Sequence, residues 1–158
     1  MSDETFNFAD QLNNIMTGIR NMRKATDGHY TIAATAILEQ DIEQVLLTKI
    51  RPLNAKVRER LFDRALRFAG KKDLAFALSV IDEEFYDALR VINKVRNAFG
   101  HATTMQSFGD PEIADLVVLI PKLDSNIPDI KFRLLAKMKE IETHLQGVVA
   151  AANASPPK

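Results

Sequence analysis

Apolar residues recur along this chain with the period of an α-helix, and the alternation typical of β-strands is nearly absent. One stripe covers residues 5–25, and a second covers residues 29–50 and is closed by Pro52. Asp27-Gly28 lies between the stripes and is a typical turn pair, so the pattern predicts that the first helix ends there. The stripe positions are Phe8, Leu12, Ile15, Met16, Ile19, Ile32, Thr35, Leu38, Ile42, Val45, Leu46 and Ile50.

The most regular stripe predicts a helix over residues 82–100. Asp82 is a suitable N-cap, and two glutamates follow it in the first turn, where the helix dipole favours negative charge. Gly100 is expected to end the helix, which places His101 just beyond it. The core positions of this stripe are Phe85, Ala88, Leu89, Ile92, Val95 and Phe99.

Shorter helices are predicted on both sides of that segment. Residues 54–69 form one that Gly70 is expected to stop, and residues 72–81 form another. Asp110-Pro111 starts a further helix, because aspartate caps a helix and proline suits its first turn. The last helix is predicted over residues 128–149.

The pattern as a whole predicts an all-α bundle of five to seven helices. We expect one domain over residues 1–150, followed by a disordered tail at 151–158 that has little to bury. Met16 and Met22 are expected to fill gaps in the core. The acidic start lacks the apolar run of a secretory signal, and no 18-residue apolar stretch exists, so the expectation is a cytoplasmic protein with no membrane contact.

Composition narrows the chemistry. The chain has no cysteine, which removes disulfides, thiolate nucleophiles and cysteine-ligated zinc. Its formal net charge is +0, which argues against a protein that coats nucleic acid indiscriminately. No glycine-rich phosphate loop, nucleophile elbow or zinc-binding motif is present, and we expect neither a metal nor a cofactor.

The segment that points most directly to chemistry is Arg96-Asn97-Ala98-Phe99-Gly100-His101. A guanidinium fork matches phosphate oxygens, and an imidazole exchanges a proton near neutral pH. On an ideal helix the two side chains lie about 140° apart, so they converge only if the helix ends between them. Asn97 either orients the imidazole or a phosphate, or is a surface residue. The alternative for the pair is that Arg96 binds a carboxylate such as Asp110 or Glu112, while His101 satisfies carbonyl groups at the helix end.

This spacing resembles the R-x4-6-H signature of HEPN domains, including the polar residue after the arginine. The resemblance implies metal-independent RNA cleavage, with His101 as the acid and base and Arg96 as the oxyanion stabiliser. It also implies a homodimer in which both motifs line one cleft.

A longer set of segments resembles the mannitol operon repressor (MltR) family over roughly residues 26–118. The segments are Thr31-Ile32-Ala33-Ala34-Thr35-Ala36-Ile37-Leu38-Glu39, Asp73-Leu74-Ala75-Phe76-Ala77-Leu78, Ile81-Asp82-Glu83-Glu84, Val95 to His101, and Ser107-Phe108-Gly109-Asp110-Pro111-Glu112-Ile113. This resemblance implies a regulatory protein that acts by protein or nucleic-acid contacts. No helix-turn-helix recognition helix is visible, so a co-regulator fits better than direct operator binding. The alternative is the ribonuclease, a toxin or defence factor whose protein partner is a cognate antitoxin.

Basic residues concentrate at positions 49–72, where nine stand against two acidic ones. Five of them have helical spacing and are candidates for one ridge along a phosphate backbone: Lys56, Arg60, Arg64, Arg67 and Lys71. The alternative is a solvated face balanced by acids such as Asp82, Glu83, Glu84 and Asp87. The isolated His29 and His144 are expected to face solvent or to cap helices.

Overall fold

The chain forms an all-α bundle, as the sequence predicts. A computed structural model describes residues 8–101 and 106–154, apart from the side chains at positions 8–15, 20, 21, 23 and 24. The described residues contain seven helices and no strand. The helices are α1 (Phe8–Lys49), α2 (Ala55–Arg58), a π-helix (Glu59–Ala65), α3 (Phe68–Ala77), α4 (Glu83–His101), α5 (Pro111–Val117) and α6 (Ile130–Ala154).

The core lies where α1, α4 and α6 meet. The predicted stripe of α4 is confirmed, because Ala88, Leu89, Ile92 and Val95 are fully buried. The cap at its start is also confirmed, since Asp82 Oδ1 accepts a hydrogen bond from the Phe85 N–H at 2.9 Å. The stripe faces buried residues on α1 and α6: Leu38, Ile42, Val45, Leu46, Leu134, Met138, Ile141 and Leu145.

The predicted break at Asp27-Gly28 is wrong, because α1 is one helix of 42 residues. Asp27 is only 2% exposed and accepts hydrogen bonds from Lys131 Nζ at 2.8 Å and from the Phe108 N–H at 3.3 Å. A Cβ atom on Gly28 would lie 3.5 Å from a ring carbon of Phe99. The pair therefore marks the place where α4 approaches α1 and where α6 is bound, and it is not a turn.

The predicted core stripe at the start of α1 is exposed where it is described. Met16, Ile19 and Met22 are 45%, 51% and 66% exposed, so neither methionine fills the core. The described buried residues of α1 begin at Asp27. The stripe positions before Met16 have side chains outside the described set. Helical periodicity predicted the helix correctly, but the apolar side chains described on this part of it are exposed.

The helix predicted over 54–69 has a different end. Asn54 caps α2 by accepting from the Val57 N–H at 2.9 Å, and the chain then continues as a π-helix. The backbone becomes extended at Leu66 and Arg67, and α3 begins at Phe68. Gly70 therefore lies in the first turn of α3 and does not stop a helix. A Cβ atom there would be 3.0 Å from Leu66, so glycine admits the Leu66 side chain.

The C-terminal helices confirm one prediction and extend another. Pro111 is the first residue of α5, although the Asp110 carboxylate accepts from the Ser107 N–H at 2.6 Å and not from α5. Helix α6 continues to Ala154, so the first four residues of the predicted tail are helical. Residues 155–158 lie outside the described residues. The alanine-rich sequence favours this extension, because alanine has the highest helix propensity.

Candidate phosphate-binding cleft

The end of α4 differs from the sequence prediction in a way that determines the site. Helix α4 runs through Gly100 and ends at His101. No described glycine has a positive φ, and a Cβ atom on Gly100 would meet nothing within 4 Å. Nothing at Gly100 therefore requires a left-handed terminator, and His101 belongs to the last helical turn.

A cleft of about 640 Å³ lies between this end of α4, the π-helix, the start of α3 and α1. Arg96, Asn97 and His101 all line it, so the structure brings the three motif residues together. We call it the Arg96 cleft. The remaining lining residues are Glu39, Phe62, Asp63, Leu66, Arg67, Phe68, Ala69, Lys71 and Asn93.

The three motif residues converge because of helical rows and not because the helix ends between them. Asn93, Asn97 and His101 follow one another at spacings of four and therefore lie along one face of α4. Arg96 occupies the adjoining row, and its Nη1 donates a hydrogen bond to Asn97 Oδ1 at 3.1 Å. Asn97 thus links the guanidinium to the row that carries the imidazole. The four-residue spacing from Asn97 to His101 is therefore the sequence feature that predicts that both side chains lie on the same side of α4.

The ion pair considered for Arg96 is absent among the described residues. Glu112 instead accepts from Gln106 Nε2 at 3.1 Å, and Asp110 accepts from the Ser107 N–H. His101 is exposed, and its ring has no hydrogen-bond partner in the described part of the chain. Both side chains are therefore available to a ligand.

Arg67 is the second available cation of the cleft. It is the N-cap residue of α3, with extended backbone at φ −79° and ψ 175°, and it is exposed. Across the described ranges it forms no ion pair. No side chain caps the first N–H groups of α3, whose residues Phe68 and Ala69 also line the cleft. The positive end of the helix dipole therefore adds to the field of the two arginines.

Lys71 lines the same cleft but is structural. It is 5% exposed, and its Nζ lies 3.0 Å from Glu39 and 3.3 Å from Glu43. Arg58 also binds Glu43, at 3.0 Å. A buried lysine whose charge is matched by two carboxylates holds α3 against α1 and contributes little free charge. The sequence pattern predicted a nucleic-acid contact for Lys71 because its two partner carboxylates lie 32 and 28 positions away and are not visible in the local pattern.

The predicted basic ridge is not continuous. Lys56, Arg60 and Arg64 line a separate depression of about 100 Å³, and Arg64 binds Glu59 at 2.6 Å. The π-helix changes the rotation per residue, and the extended backbone that follows moves Arg67 and Lys71 onto another helix. Among the described residues, the acids that pair with the basic residues of segment 49–72 are Glu39, Glu43, Glu59 and Asp73, not the 82–87 group considered from the sequence.

The other two histidines lie outside the cleft. His29 is exposed on α1. His144 Nε2 lies 3.0 Å from the carbonyl oxygen of Val80, just after α3, and its ring meets Phe85 edge-on at 5.1 Å. Both histidines are exposed, as expected, and the carbonyl group that His144 contacts lies beyond the end of α3. No group of three or more potential metal ligands occurs among the described residues.

Comparison of the chain with protein-family models, curated proteins and solved structures found no match. Within the described ranges, no helix combines the length and the apolar character needed to cross a membrane.

Proposed function

We propose that this chain is a regulatory protein of the MltR type that contacts RNA, and that the Arg96 cleft binds a phosphate of that RNA. The observation that carries the proposal is the presence, in the lining of one cleft, of two guanidinium groups that have no ion-pair partner among the described residues, Arg67 and Arg96. Unpaired cations attract an anion, and planar guanidinium forks match phosphate oxygens in particular.

The balance of charge favours contact with a single phosphate and does not favour binding of a nucleic acid along an extended basic surface. Glu39 and Asp63 oppose three cations in the lining, and Lys71 is already paired. The chain as a whole has no net charge to hold a polyanion over its surface. A volume of about 640 Å³ lies within the usual range of small-ligand sites. These properties fit one phosphate with its neighbouring nucleotide.

A binding experiment tests this proposal. Single-stranded RNA labelled at one end is titrated with the protein, and its fluorescence anisotropy is followed at several salt concentrations. Arg96→Ala and Arg67→Ala should each weaken binding about tenfold or more, because a hydrogen bond to a charged group contributes about 1.5–3 kcal/mol. Each loss should also reduce the salt dependence by about one phosphate contact.

Arg90→Ala is the matched control, because Arg90 is exposed on the same helix, pairs with Asp87 and is not in the cleft lining. Its affinity for RNA should equal that of the unmodified protein. Equal affinity of all variants would contradict the phosphate assignment and leave protein contacts as the regulatory route.

A second candidate function is metal-independent RNA cleavage, favoured by the presence of His101 and Arg96 in the lining of one cleft. The ribose 2′-oxygen would attack phosphorus, the bond to the 5′-oxygen would break, and a 2′,3′-cyclic phosphate and a 5′-hydroxyl would remain. His101 would transfer the proton, and Arg96 would stabilise the charge on the phosphoryl oxygens. One imidazole makes a sparse site, so this function also requires a homodimer that supplies a second one.

Cleavage separates the two candidates. An enzyme should cut RNA in EDTA and leave DNA intact, and His101→Ala should abolish cutting while RNA is still bound. Arg96→Lys should recover little activity, because an ammonium group lacks the bidentate fork. RNA binding without cleavage by the purified protein would support the regulatory function alone. Light scattering at tens of micromolar tests the dimer, and a strict monomer would contradict the two-histidine site.

A further inference from the structure

A second groove lies between α1 and α6 and has a volume of about 300 Å³. Its polar lining comprises Asp41, Gln44, Gln146 and Asn153, and Leu145 and Val149 provide an apolar wall. None of its lining residues belongs to the Arg96 cleft. We call it the Asp41 groove. The proposal below does not depend on the function proposed for the cleft.

Asp41 is the unusual member of this groove. Its Oδ2 is closed off from solvent and has no hydrogen-bond partner among the described residues. Gln146 and Lys139, which act on Asp41, also bind Glu142: Gln146 Nε2 donates to Glu142 at 3.1 Å, and Lys139 Nζ lies 2.9 Å from the same carboxylate. An enclosed carboxylate oxygen without a hydrogen-bond partner is costly to the fold.

The electrostatic surroundings specify the sign of a ligand. Burial raises the pKa of Asp41 above its ordinary value, and the neighbouring Glu142 carboxylate raises it further. Gln146 and Lys139 oppose this shift only in part. A cation at Asp41 would relieve the uncompensated charge, whereas an anion would be repelled by both carboxylates.

We propose that the Asp41 groove binds the ammonium group of a small primary alkylamine, with the alkyl chain along Leu145 and Val149. An ammonium group offers three donors, which suit the Asp41 carboxylate and the carbonyl oxygens of the groove's carboxamide side chains. Asp41 lines the groove, which places its carboxyl group beside the ligand. The volume is at the lower end of ligand sites, so a short chain is expected.

The test uses n-butylammonium chloride as the probe, with n-butanol and sodium butyrate as neutral and anionic analogues of equal length. Each is titrated into the full, isotopically labelled chain at constant ionic strength, and amide chemical shifts are followed by NMR. We expect saturable shifts centred on Asp41 and Val149, with a dissociation constant on the order of millimolar for so small a ligand. The alcohol should bind at least tenfold more weakly, and butyrate should not bind.

Two variants complete the test. Asp41→Asn keeps the shape of the side chain and removes its charge, and it should weaken butylammonium binding at least tenfold. Asp115→Asn alters an exposed aspartate on α5, outside the groove, and should leave binding unchanged. Equal affinity for amine and alcohol, shifts centred elsewhere, or full binding by a folded Asp41→Asn protein would each overturn the proposal. Should that variant fail to fold, the comparison of amine with alcohol on the unmodified chain still decides the question.

Discussion

Replacing Asp27 by alanine is expected to remove about 3 kcal/mol from the free energy of unfolding. The Asp27 carboxylate is buried and receives two hydrogen bonds, from Lys131 on α6 and from the backbone of Phe108. A hydrogen bond to a charged group contributes about 1.5–3 kcal/mol, and a buried N–H left without a partner costs about 1–3 kcal/mol. The lower part of the combined range applies, because Lys131 is 22% exposed and regains water.

Urea denaturation followed by far-UV circular dichroism measures this loss, and thermal unfolding provides a second readout. A domain of this length loses about 2–4 °C in melting temperature per kcal/mol, so the melting temperature of Asp27→Ala should be about 6–12 °C lower than that of the unmodified protein. Asp27→Asn should lose less than Asp27→Ala, because its carboxamide oxygen still accepts from the Phe108 N–H. Asp115→Ala is the control, and it should stay within about 0.5 kcal/mol because Asp115 is exposed.

A double-mutant cycle with Lys131→Met isolates the ion pair from other effects of the substitutions. The two side chains are in contact at 2.8 Å, so their losses should not add. An Asp27→Ala protein as stable as the Asp115 control would refute the reasoning. It would mean that Asp27 is not a buried junction, and the turn expected from the sequence at this position would then be the better description.

Three further predictions follow from individual contacts. Gly28→Ala and Gly100→Ala should each raise the free energy of unfolding by about 0.5–1 kcal/mol in urea titrations, because both residues are helical and a Cβ atom is tolerated at each. A lower free energy of unfolding for either variant would contradict a continuous helix at that position. Lys122 and then Lys137 lower the pKa of Glu84, so the stability that Glu84 contributes should disappear as the pH falls through its folded pKa, and Glu84→Gln should flatten this acid-side slope in unfolding titrations. The raised pKa of Asp41 has the opposite effect on stability. The stability that Asp41 contributes is present below the ordinary carboxyl pKa and is lost as the pH rises through its folded pKa, so Asp41→Asn should be more stable than the unmodified protein at neutral pH. Equal stability of the two proteins at all pH values would count against the burial of Asp41.

The candidate site could be predicted in its membership better than in its geometry. Residue chemistry alone selected Arg96, Asn97 and His101, and all three line one cleft. The assumed reason was wrong, because α4 does not end at Gly100. Asn93, Asp63 and Glu39 were not predicted as lining residues. Asn93 was recognisable from its spacing of four to Asn97, whereas Glu39 and Asp63 have no local signal and reach the cleft only through the tertiary arrangement of α1 and the π-helix.

The sequence by itself determined the all-α class, the amphipathic face of α4 and the start of α5 at Pro111. These features depend on contacts within a few residues: the helical period, an N-cap and the fixed φ of proline. A local pattern is sufficient for them because neighbouring positions on a helix are three or four residues apart.

Only the tertiary structure decided how each ambiguous position is used. The local pattern at Gly28 indicates the end of a helix, but Gly28 lies inside α1, where Phe99 of α4 packs against it. Lys71 is read locally as a surface cation, but it is buried because Glu39 and Glu43 on α1 neutralise it. A glycine or a charge has several low-cost conformations and environments, and contacts with residues distant in the chain select among them.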